Sequence, residues 1–279
     1  MSLKMIVDSV ADIPKELAEA LGIVVVPLQV NFEDASYKDG QDLSSKAFFQ
    51  KVAKASKLPT TAQVTPGEFI EVFKRELEAG HDLIVMTMSA RMSGTHNAAR
   101  TAMEFLETDR ITLFDSRGVT FGYGLMAVLA ARMIQAGSSR EAVCAEIERM
   151  IANQESRFIV DTLDYLRRGG RLTVGEAFIG GLLNIKPILR VAGGELLAED
   201  KVRGRKKAIR AICDWLERER IDLAEKTVAL YHADDREYMD ELEAALREQF
   251  AIGEIVYSEV GSVVGTHSGP GCIAISFIR

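Results

Sequence analysis

Short apolar runs alternate with segments of helical periodicity along the first half of the chain, and this alternation restricts the fold more than any other feature. The apolar runs are KMIVDS, GIVVVPLQV, DLIVMTMS and RITLFDS, and the helical segments lie near 66–79, 95–107 and 119–136. Continuous apolar strands separated by amphipathic helices are typical of a parallel sheet covered by helices on both faces. The pattern predicts a doubly wound α/β fold for this half.

Past residue 153 the pattern changes. Apolar runs recur in SRFIVDT, KPILRVAGGELLAED, KTVALYHA, GEIVYSEVG and CIAISFI, and Gly193-Gly194 interrupts the second of them. A glycine pair between two apolar runs predicts a β-hairpin, so part of this sheet is expected to be antiparallel. Long helices near 203–219 and 235–249 would cover it. We therefore expect a second α/β domain with a mixed sheet.

Composition and charge exclude several classes of protein. The chain has 279 residues, enough for about two domains, and a formal net charge of −7. This acidic balance argues against nucleic-acid binding, which needs a concentrated positive surface. No run of eighteen apolar residues and no charged-then-apolar leader occurs, so we expect a cytoplasmic protein without stable membrane insertion. The three cysteines and four histidines show no metal-ligand spacing, and we expect reduced, inert thiols and no metal.

The stretch SARMSGTHNAARTA, at 89–102, places Ser93 and Gly94 where a strand passes into a helix. No GxSxG elbow surrounds Ser93, because Arg91 stands where the first glycine would be, and the phosphate loop GxxxxGK[ST] occurs nowhere in the chain. A helix N-terminus with Gly94 for close approach and the hydroxyl of Thr95 would suit an anion such as a carboxylate. A purely structural helix cap gives the same sequence, and the residues alone leave both interpretations open.

Two other segments carry candidate polar groups. KLPTTAQVTPGEF contains Thr60 and Thr61 ahead of Pro66, which suits the first turn of a helix. A loop that ends in a Thr65 cap is the alternative to a binding segment. VVGTHSGPGCIAI places His267 in a glycine-rich turn between two strands, where its ring is accessible. A structural or solvated histidine is the alternative there.

Three strand ends repeat an acid-hydroxyl pair: Asp8-Ser9, Asp115-Ser116 and Asp161-Thr162. Such pairs line a polar cleft if the carboxyl ends of the strands meet, or they cap the following helices. The segment FGYGLMA formally matches GxGxx[GA], but it begins several residues beyond the preceding strand. We interpret its glycines as close backbone packing and not as a dinucleotide site.

Two basic groups stand out from the acidic background. LRRGGR contains Arg171, and DKVRGRKKAIR contains Arg203. Each group would suit a phosphate or an acidic partner, and solvated helix ends are the alternative. Between them the segment from Phe178 to Ile185 is more apolar than one helix stripe requires, for which ordinary core packing is the default explanation.

Taken together, these motifs resemble a known family. VDSVADIP, LPTTAQVTPGEF, SARMSGTHNAA, FDSRGVTFGYG, RRGGRL, NIKPIL and GTHSGPG occur in this order over essentially the whole chain. In this combination the sequence resembles the DegV family of bacterial fatty-acid-binding proteins. The resemblance implies an N-terminal three-layer α/β/α domain with a parallel sheet over 1–153. It also implies a C-terminal two-layer α/β domain with a mixed sheet over 154–279, and a ligand pocket between the two.

The resemblance also implies a function. Such proteins hold a long-chain fatty acid in a buried tunnel and present its carboxylate to a separate, ATP-binding kinase subunit, which makes an acyl-phosphate for phospholipid synthesis. The carboxylate contacts would be Thr61, Ser93 and His267, with Thr60 and Gly94 beside them. The resemblance places contacts to the kinase or the phosphate at two arginines, Arg171 and Arg203. No catalytic residue, metal or cofactor is implied in this chain.

The alkyl tail is expected to supply most of the affinity, and the polar residues are expected to position the carboxylate. A chain of ~14 methylenes at about 0.8 kcal/mol each offers roughly 11 kcal/mol before ordering and association costs. The tail would run past Gly180-Gly181. Ala62 and Ala90 stand where relatives often carry hydroxyl groups, so one polar contact is expected to be missing.

Two alternatives remain open. A carrier or sensor would hold the lipid without a kinase partner. A serine hydrolase would use Ser93 and His267, with Asp8 or Asp115 behind the imidazole.

Overall fold

The computed structural model describes residues 2–172 and 184–279. Within them the chain forms the strands β1 (Ser2–Asp8), β2 (Val24–Val26), β3 (Gln29–Asn31), β4 (Ser36–Lys38), β5 (Thr60–Ala62), β6 (His81–Thr87), β7 (Ile111–Asp115), β8 (Gln154–Ile159), β9 (Ile185–Ala192), β10 (Glu195–Arg203), β11 (Leu223–Ala233), β12 (Ile252–Glu259) and β13 (Cys272–Ile278).

The helices of the same ranges alternate with these strands. They are α1 (Lys15–Leu21), α2 (Ser45–Val52), α3 (Pro66–Glu78), α4 (Thr95–Leu106), α5 (Phe121–Gln135), α6 (Arg140–Asn153), α7 (Asp164–Gly169), α8 (Arg205–Arg218), α9 (Arg236–Gln249) and α10 (Ser262–Ser268), with a 3₁₀ turn at Ser9–Ala11.

The first half contains the parallel sheet that its apolar runs predict. Its order is β2-β1-β6-β7, and all neighbouring strands are parallel. Ile6 and Val85 pair across β1 and β6, and both side chains are fully buried. Helices α3, α4 and α5 pack against the sheet. Thr65 forms a capping box with Glu68 at the start of α3, which is the cap that the alternative interpretation of this segment describes.

The run GIVVVPLQV, expected to be one strand, forms two strands in different sheets. β2 belongs to the parallel sheet, whereas β3 lies at the centre of a three-stranded antiparallel sheet of order β4-β3-β5. Pro27 separates them, because it has no N–H to donate to a sheet ladder. The next residue, Leu28, donates its N–H to the hydroxyl of Ser9 instead. No sequence pattern predicted this third sheet.

The second half contains the expected mixed sheet. Its order is β10-β9-β8-β13-β11-β12, with one parallel pair, β11 and β12, among antiparallel neighbours. The hairpin between β9 and β10 is confirmed. Gly193 and Gly194 have φ angles of +58° and +84°, so both adopt the left-handed conformation that a two-residue hairpin turn requires. Helices α8 and α9 cover this sheet, as predicted.

Helix α5 connects the two large sheets. It contacts β1 of the parallel sheet and β8, β11 and β13 of the mixed sheet, and it is apolar around most of its circumference. A methyl group on Gly124 would lie 2.1 Å from the carbonyl oxygen of Ala11, and one on Gly122 would lie 2.8 Å from Ser156 Oγ. The interpretation of these glycines as close packing is confirmed.

One buried core runs from the parallel sheet through α5 into the mixed sheet. The strands of the two smaller sheets precede residue 116, and those of the six-stranded sheet follow residue 153. The division into two domains at 153 stays a prediction. Among the described helices none combines the length and the apolar character needed to cross a membrane.

Candidate functional site

A cavity of about 360 Å³ lies between the two halves of the chain. This volume is in the range of small-molecule sites. Apolar side chains from both halves make up most of its described lining: Val10, Leu28, Ala62, Met88, Met92, Val119, Phe158, Val160, Leu166, Leu189, Leu196, Val260, Val263, Val264 and Cys272. The polar lining residues are Thr61, Gln63, Ser93, Thr120, Arg171, His267 and Ser268. Such a cavity suits a ligand that is mostly hydrocarbon with a polar end.

The structure brings Thr61 and His267 together. Thr61 lies on β5, which pairs with β3, and His267 lies in the last turn of α10. Thr61 Oγ1 and His267 Nε2 are 3.1 Å apart, within hydrogen-bonding distance. The expectation that His267 would lie in a turn was wrong: glycines flank α10, but its residues form a helix that tertiary contacts hold against the first half.

The imidazole of His267 is neutral. Burial, reinforced by the positive charge of Arg171, lowers its pKa to about 4. Its Nδ1 atom is buried without a hydrogen-bond partner, and it faces Gly169, where a methyl group would lie 2.1 Å from it. A buried N–H without an acceptor is costly, so we assign the ring hydrogen to Nε2, which donates it to Thr61. The hydroxyl hydrogen of Thr61 is then free for a ligand.

Ser93 lies beside the start of α4. Its hydroxyl is 2.9 Å from Thr95 Oγ1 and accepts from Thr95 N at 3.3 Å. The N-cap residue is Gly94, not Ser93, and no side chain caps this helix. A methyl group on Gly94 would lie 2.0 Å from Gln63 Oε1. Ser93, Gly94 and Gln63 all line the cavity that Thr61 and His267 also line.

Arg171 lies where the cavity meets a second cleft. Its Nη1 donates to the carbonyl oxygen of Gly169 at 2.6 Å, and its Nε donates to that of Met92 at 3.4 Å. The second cleft, of about 820 Å³, shares Thr61, Arg171 and His267 with the first and also contains Lys57, Arg168 and Thr60. Thr60 is exposed and does not line the closed cavity. Arg203, exposed at the end of β10, lines neither space.

The loop hydrogen bonds of Asp8 and Asp115 argue against a hydrolase. Asp8 accepts from the N–H groups of Val10 and Met88, and Asp115 accepts from those of Ala90 and Arg117. Asp8 is the N-cap of the 3₁₀ turn at Ser9–Ala11, as the capping interpretation expects, whereas Asp115 accepts from N–H groups of loop residues. Because His267 Nδ1 has no hydrogen-bond partner, the described residues assemble no Ser-His-Asp triad.

Sequence reasoning did not identify most of the apolar wall. Phe158, Leu189 and Leu196 come from strands of the mixed sheet, and alternation along each strand is the signal that could have indicated an inward face. The hairpin is held over the cavity because Ser89 Oγ donates to the carbonyl oxygen of Gly194 at 2.6 Å. Of the predicted tail segment, 178–183 lies outside the described residues, and Ile185 does not line the cavity.

Within residues 2–172 and 184–279, no group of three or more His, Cys, Asp or Glu side chains is placed to hold a metal ion. Cys272 lines the cavity as a thiol, since burial raises its pKa to about 12. It therefore acts as an apolar side chain in the wall.

Residues 2–279 match a family model described as "Uncharacterised protein, DegV family". A DegV domain-containing protein from Caldanaerobacter subterraneus is 41% identical over 275 residues, covering 99% of this chain and 98% of that protein. A DegV family protein from Thermus thermophilus, whose structure is described for fatty acid binding, is 32% identical, with a TM-score of 0.93 and complete coverage of both chains. DegV of Bacillus subtilis, described as a fatty acid binding protein, is 35% identical, with a TM-score of 0.87 and complete coverage of both.

Proposed function

The chain belongs to the DegV family, and we propose that it binds a long-chain fatty acid in the closed cavity and presents the carboxylate to a separate kinase subunit. The observation that carries the proposal is the polarity of the cavity lining. Apolar side chains from both halves of the chain form most of the wall, and Thr61, Ser93 and His267 are among its polar residues. The solved relatives from Thermus thermophilus and Bacillus subtilis are described as binding fatty acids.

The apolar wall accounts for affinity. Each buried methylene contributes about 0.8 kcal/mol, so a long alkyl chain supplies most of the binding free energy once ordering and association costs are subtracted. Phe158, Leu189 and Leu196 contribute wall from the mixed sheet. Val10, in the 3₁₀ turn after β1, and Met88, directly after β6, contribute it from the first half. A ligand with a short tail leaves much of this surface unused.

The polar group accounts for orientation. A carboxylate without hydrogen-bond donors would be costly to bury, and the hydroxyls of Thr61 and Ser93 supply donors. His267 donates to Thr61 and so directs the hydroxyl hydrogen of Thr61 toward the ligand. Ala62, beside Thr61, lines the cavity as an apolar contact.

The second cleft supports presentation to a kinase. It also contains Thr61 and His267, and it carries the positive charges of Arg168 and Arg171. Lys57, also in its lining, is paired with Glu33 at 2.6 Å, and Asp234 adds one negative charge. Positive charge beside the carboxylate favours the approach of a phosphate donor and stabilises the charge of the product. The chain itself has no GxxxxGK[ST] loop to bind a nucleotide, so the donor comes with the partner. Arg203, farther along the basic segment, would contact that partner.

The experiment has two stages. First, the purified protein is extracted with organic solvent, the extract is analysed by mass spectrometry, and the delipidated protein is offered fatty acids. We expect about one long-chain acid per chain. Binding is refuted if no fatty acid copurifies and the delipidated protein takes up none. Second, loaded protein is mixed with a fatty acid kinase and ATP, and acyl-phosphate is trapped with hydroxylamine. Binding without any acyl-phosphate would support the carrier or sensor alternative and refute the kinase partnership.

A further inference from the structure

The short helix α10 carries a large share of the site. It spans seven residues, Ser262–Ser268, yet Val263, Val264 and His267 all line the cavity. Its N-cap residue is Gly261, which has no side chain to accept from the first-turn N–H groups. A helix this short is unstable by itself, so tertiary contacts determine where it lies.

Two carboxylates from the first half of the chain provide the missing cap. Asp12 Oδ1 accepts from Gly261 N at 3.0 Å. Asp39 Oδ1 accepts from Ser262 N at 2.9 Å and from Ser262 Oγ at 2.6 Å. Both carboxylates are buried. Their oxygens accept from N–H groups at the start of α10 that have no acceptor within the helix. Burial raises the pKa of both side chains, that of Asp12 well above its ordinary value.

Both ends of α10 are fixed relative to one strand. Asp39 N donates to the carbonyl oxygen of Leu28 at 2.9 Å, and Ser9 Oγ accepts from Leu28 N and donates to Asp39 Oδ2. Leu28 directly precedes β3, and β3 pairs with β5 at Thr61. Asp39 at the start of α10 and Thr61 at its His267 end are therefore tied to the same backbone.

Packing against α2 fixes the side of the helix. A methyl group on Gly265 would lie 2.7 Å from Phe48 Cε1 and 2.9 Å from Phe49 Cζ, so the backbone of α10 lies directly on these rings. Ser45 Oγ donates to the carbonyl oxygen of Val260 at 2.7 Å. These contacts hold the flank of the helix, whereas the two carboxylates hold its end.

We propose that Asp12 and Asp39 are positioning residues, which set the place of His267 relative to Thr61 through α10. Neither lines the cavity, so neither contacts the ligand directly. Asp12 also accepts from the hydroxyl of Thr120, a cavity-lining residue, so Asp39 is the more direct test of the helix. The bond between Thr61 and His267 is 3.1 Å long, and a displacement of about 1 Å removes it. The consequence for the ligand rests on the proposed function, but the position of His267 can be measured without ligand.

The test uses the imidazole NMR signals of the fatty-acid-free protein, whose four histidines make assignment practical. His267→Gln identifies the His267 signals, and Thr61→Ala shows how they change when the hydrogen bond is lost. We expect Asp39→Asn and Asp12→Asn to shift them in the same direction as Thr61→Ala. Phosphoryl transfer to bound fatty acid should fall roughly tenfold in these variants, because the carboxylate is misplaced.

Two further variants separate positioning from stability. Ser262→Ala removes the hydroxyl donor to Asp39 and keeps the backbone hydrogen bond, so it should shift the His267 signals less. If Asp39→Asn does not fold, Ser262→Ala is the variant that tests the proposal. Asp235→Asn is the matched control, because Asp235 caps α9 through Tyr238 N and does not line the cavity. It should lower the melting temperature and leave the His267 signals unchanged.

A wild-type His267 signal in every folded variant of Asp12, Asp39 and Ser262 would overturn the proposal. If the wild-type protein takes up no fatty acid, the proposed function fails, but the His267 signals still decide this inference. The two failures are therefore distinguishable.

Discussion

Thr61 Oγ1 and His267 Nε2 lie 3.1 Å apart, although 206 positions separate the two residues in the sequence. Thr61 belongs to the small antiparallel sheet of the first half, and His267 belongs to the helix that precedes the last strand of the mixed sheet. The polar end of the cavity therefore forms only when both halves are packed together. Whether the hydrogen bond between Thr61 and His267 is formed therefore shows whether the two halves are packed as in this structure.

Thr61→Ala should separate retention of the fatty acid from its orientation. Loss of one donor to a carboxylate costs about 1.5 kcal/mol, or roughly tenfold in affinity, while the alkyl chain keeps the lipid bound. Phosphoryl transfer at saturating fatty acid should fall more than tenfold, because the carboxylate is no longer oriented. Ser93→Ala should behave similarly. Copurified lipid and acyl-phosphate are measured on the same samples.

Thr60→Ala is the matched control for this pair. Thr60 neighbours Thr61 on β5, and alternation along the strand directs the two side chains to opposite faces. Thr60→Ala should retain wild-type lipid content, because Thr60 does not line the cavity. Equal losses of lipid and transfer in Thr61→Ala would contradict the separation of roles.

Gly169→Ala should displace the imidazole of His267. The added methyl group would lie 2.1 Å from Nδ1, and the ring is too enclosed to move without cost. Overpacking of this kind lowers the free energy of unfolding by about 1–3 kcal/mol. Phosphoryl transfer to the bound fatty acid should fall as well. Gly67→Ala, where a methyl group meets nothing closer than 4.0 Å, is the control. Chemical denaturation and the His267 NMR signal together check this, and wild-type values for both would contradict the packing argument.

The stability of the fatty-acid-free protein should depend on pH through His267. Burial lowers the pKa of this imidazole to about 4 in the folded protein, below the ordinary value of 6.5 that it has when unfolded. Below pH 6.5 the unfolded chain binds a proton that the folded protein does not, so unfolding becomes easier as the pH falls toward 4. The contribution of the neutral His267 imidazole to the free energy of unfolding is complete above pH 6.5 and amounts to roughly 2–3 kcal/mol.

His267→Gln isolates this effect. Asp8, whose pKa burial raises to about 6, changes stability in the opposite direction with pH, but it is present in both proteins and cancels in the difference. Urea unfolding between pH 4.5 and 8 should give a steeper acid loss for the wild type than for His267→Gln. Parallel curves would show that the imidazole is not buried in its neutral form.

Arg171→Gln should impair phosphoryl transfer from ATP on the kinase to the bound fatty acid and leave lipid content near the wild-type level. Arg171 lines both the closed cavity and the second cleft, and it lies close enough to His267 to affect its pKa. Removal of its charge weakens the attraction for a phosphate donor. Arg203→Gln, exposed and distant from both spaces, should weaken kinase affinity without changing the rate at saturating kinase. Loss of lipid in Arg171→Gln would show that this residue mainly holds the ligand.

Local patterns were sufficient for most of the framework. The runs around Ile6 and Val85 predicted the parallel sheet, and Gly193-Gly194 predicted the hairpin, because each depends on contacts within one periodic segment. The three-residue strands β3 and β5 are too short to show a period. Their pairing, which places Thr61, could not be predicted in this way.

The site depended on long-range contacts. Residue patterns alone left Ser93 and His267 open between structural and binding roles, and the family resemblance selected them. The glycine-rich sequence around His267 predicted a turn, and the structure has helix α10 there. Part of the cap of α10 comes from Asp39, more than 200 positions away, and no local signal encodes that bond. The apolar wall was missed for a similar reason: which face of β9 is buried depends on the opposite sheet.

The central claim is that most of the binding free energy comes from an enclosed alkyl chain. It is tested most directly by titrating delipidated protein with saturated fatty acids of increasing length. We predict that the binding free energy improves by about 0.8 kcal/mol per added methylene until the cavity is filled, and then stops improving. Affinity that is the same for short and long acids would contradict the account.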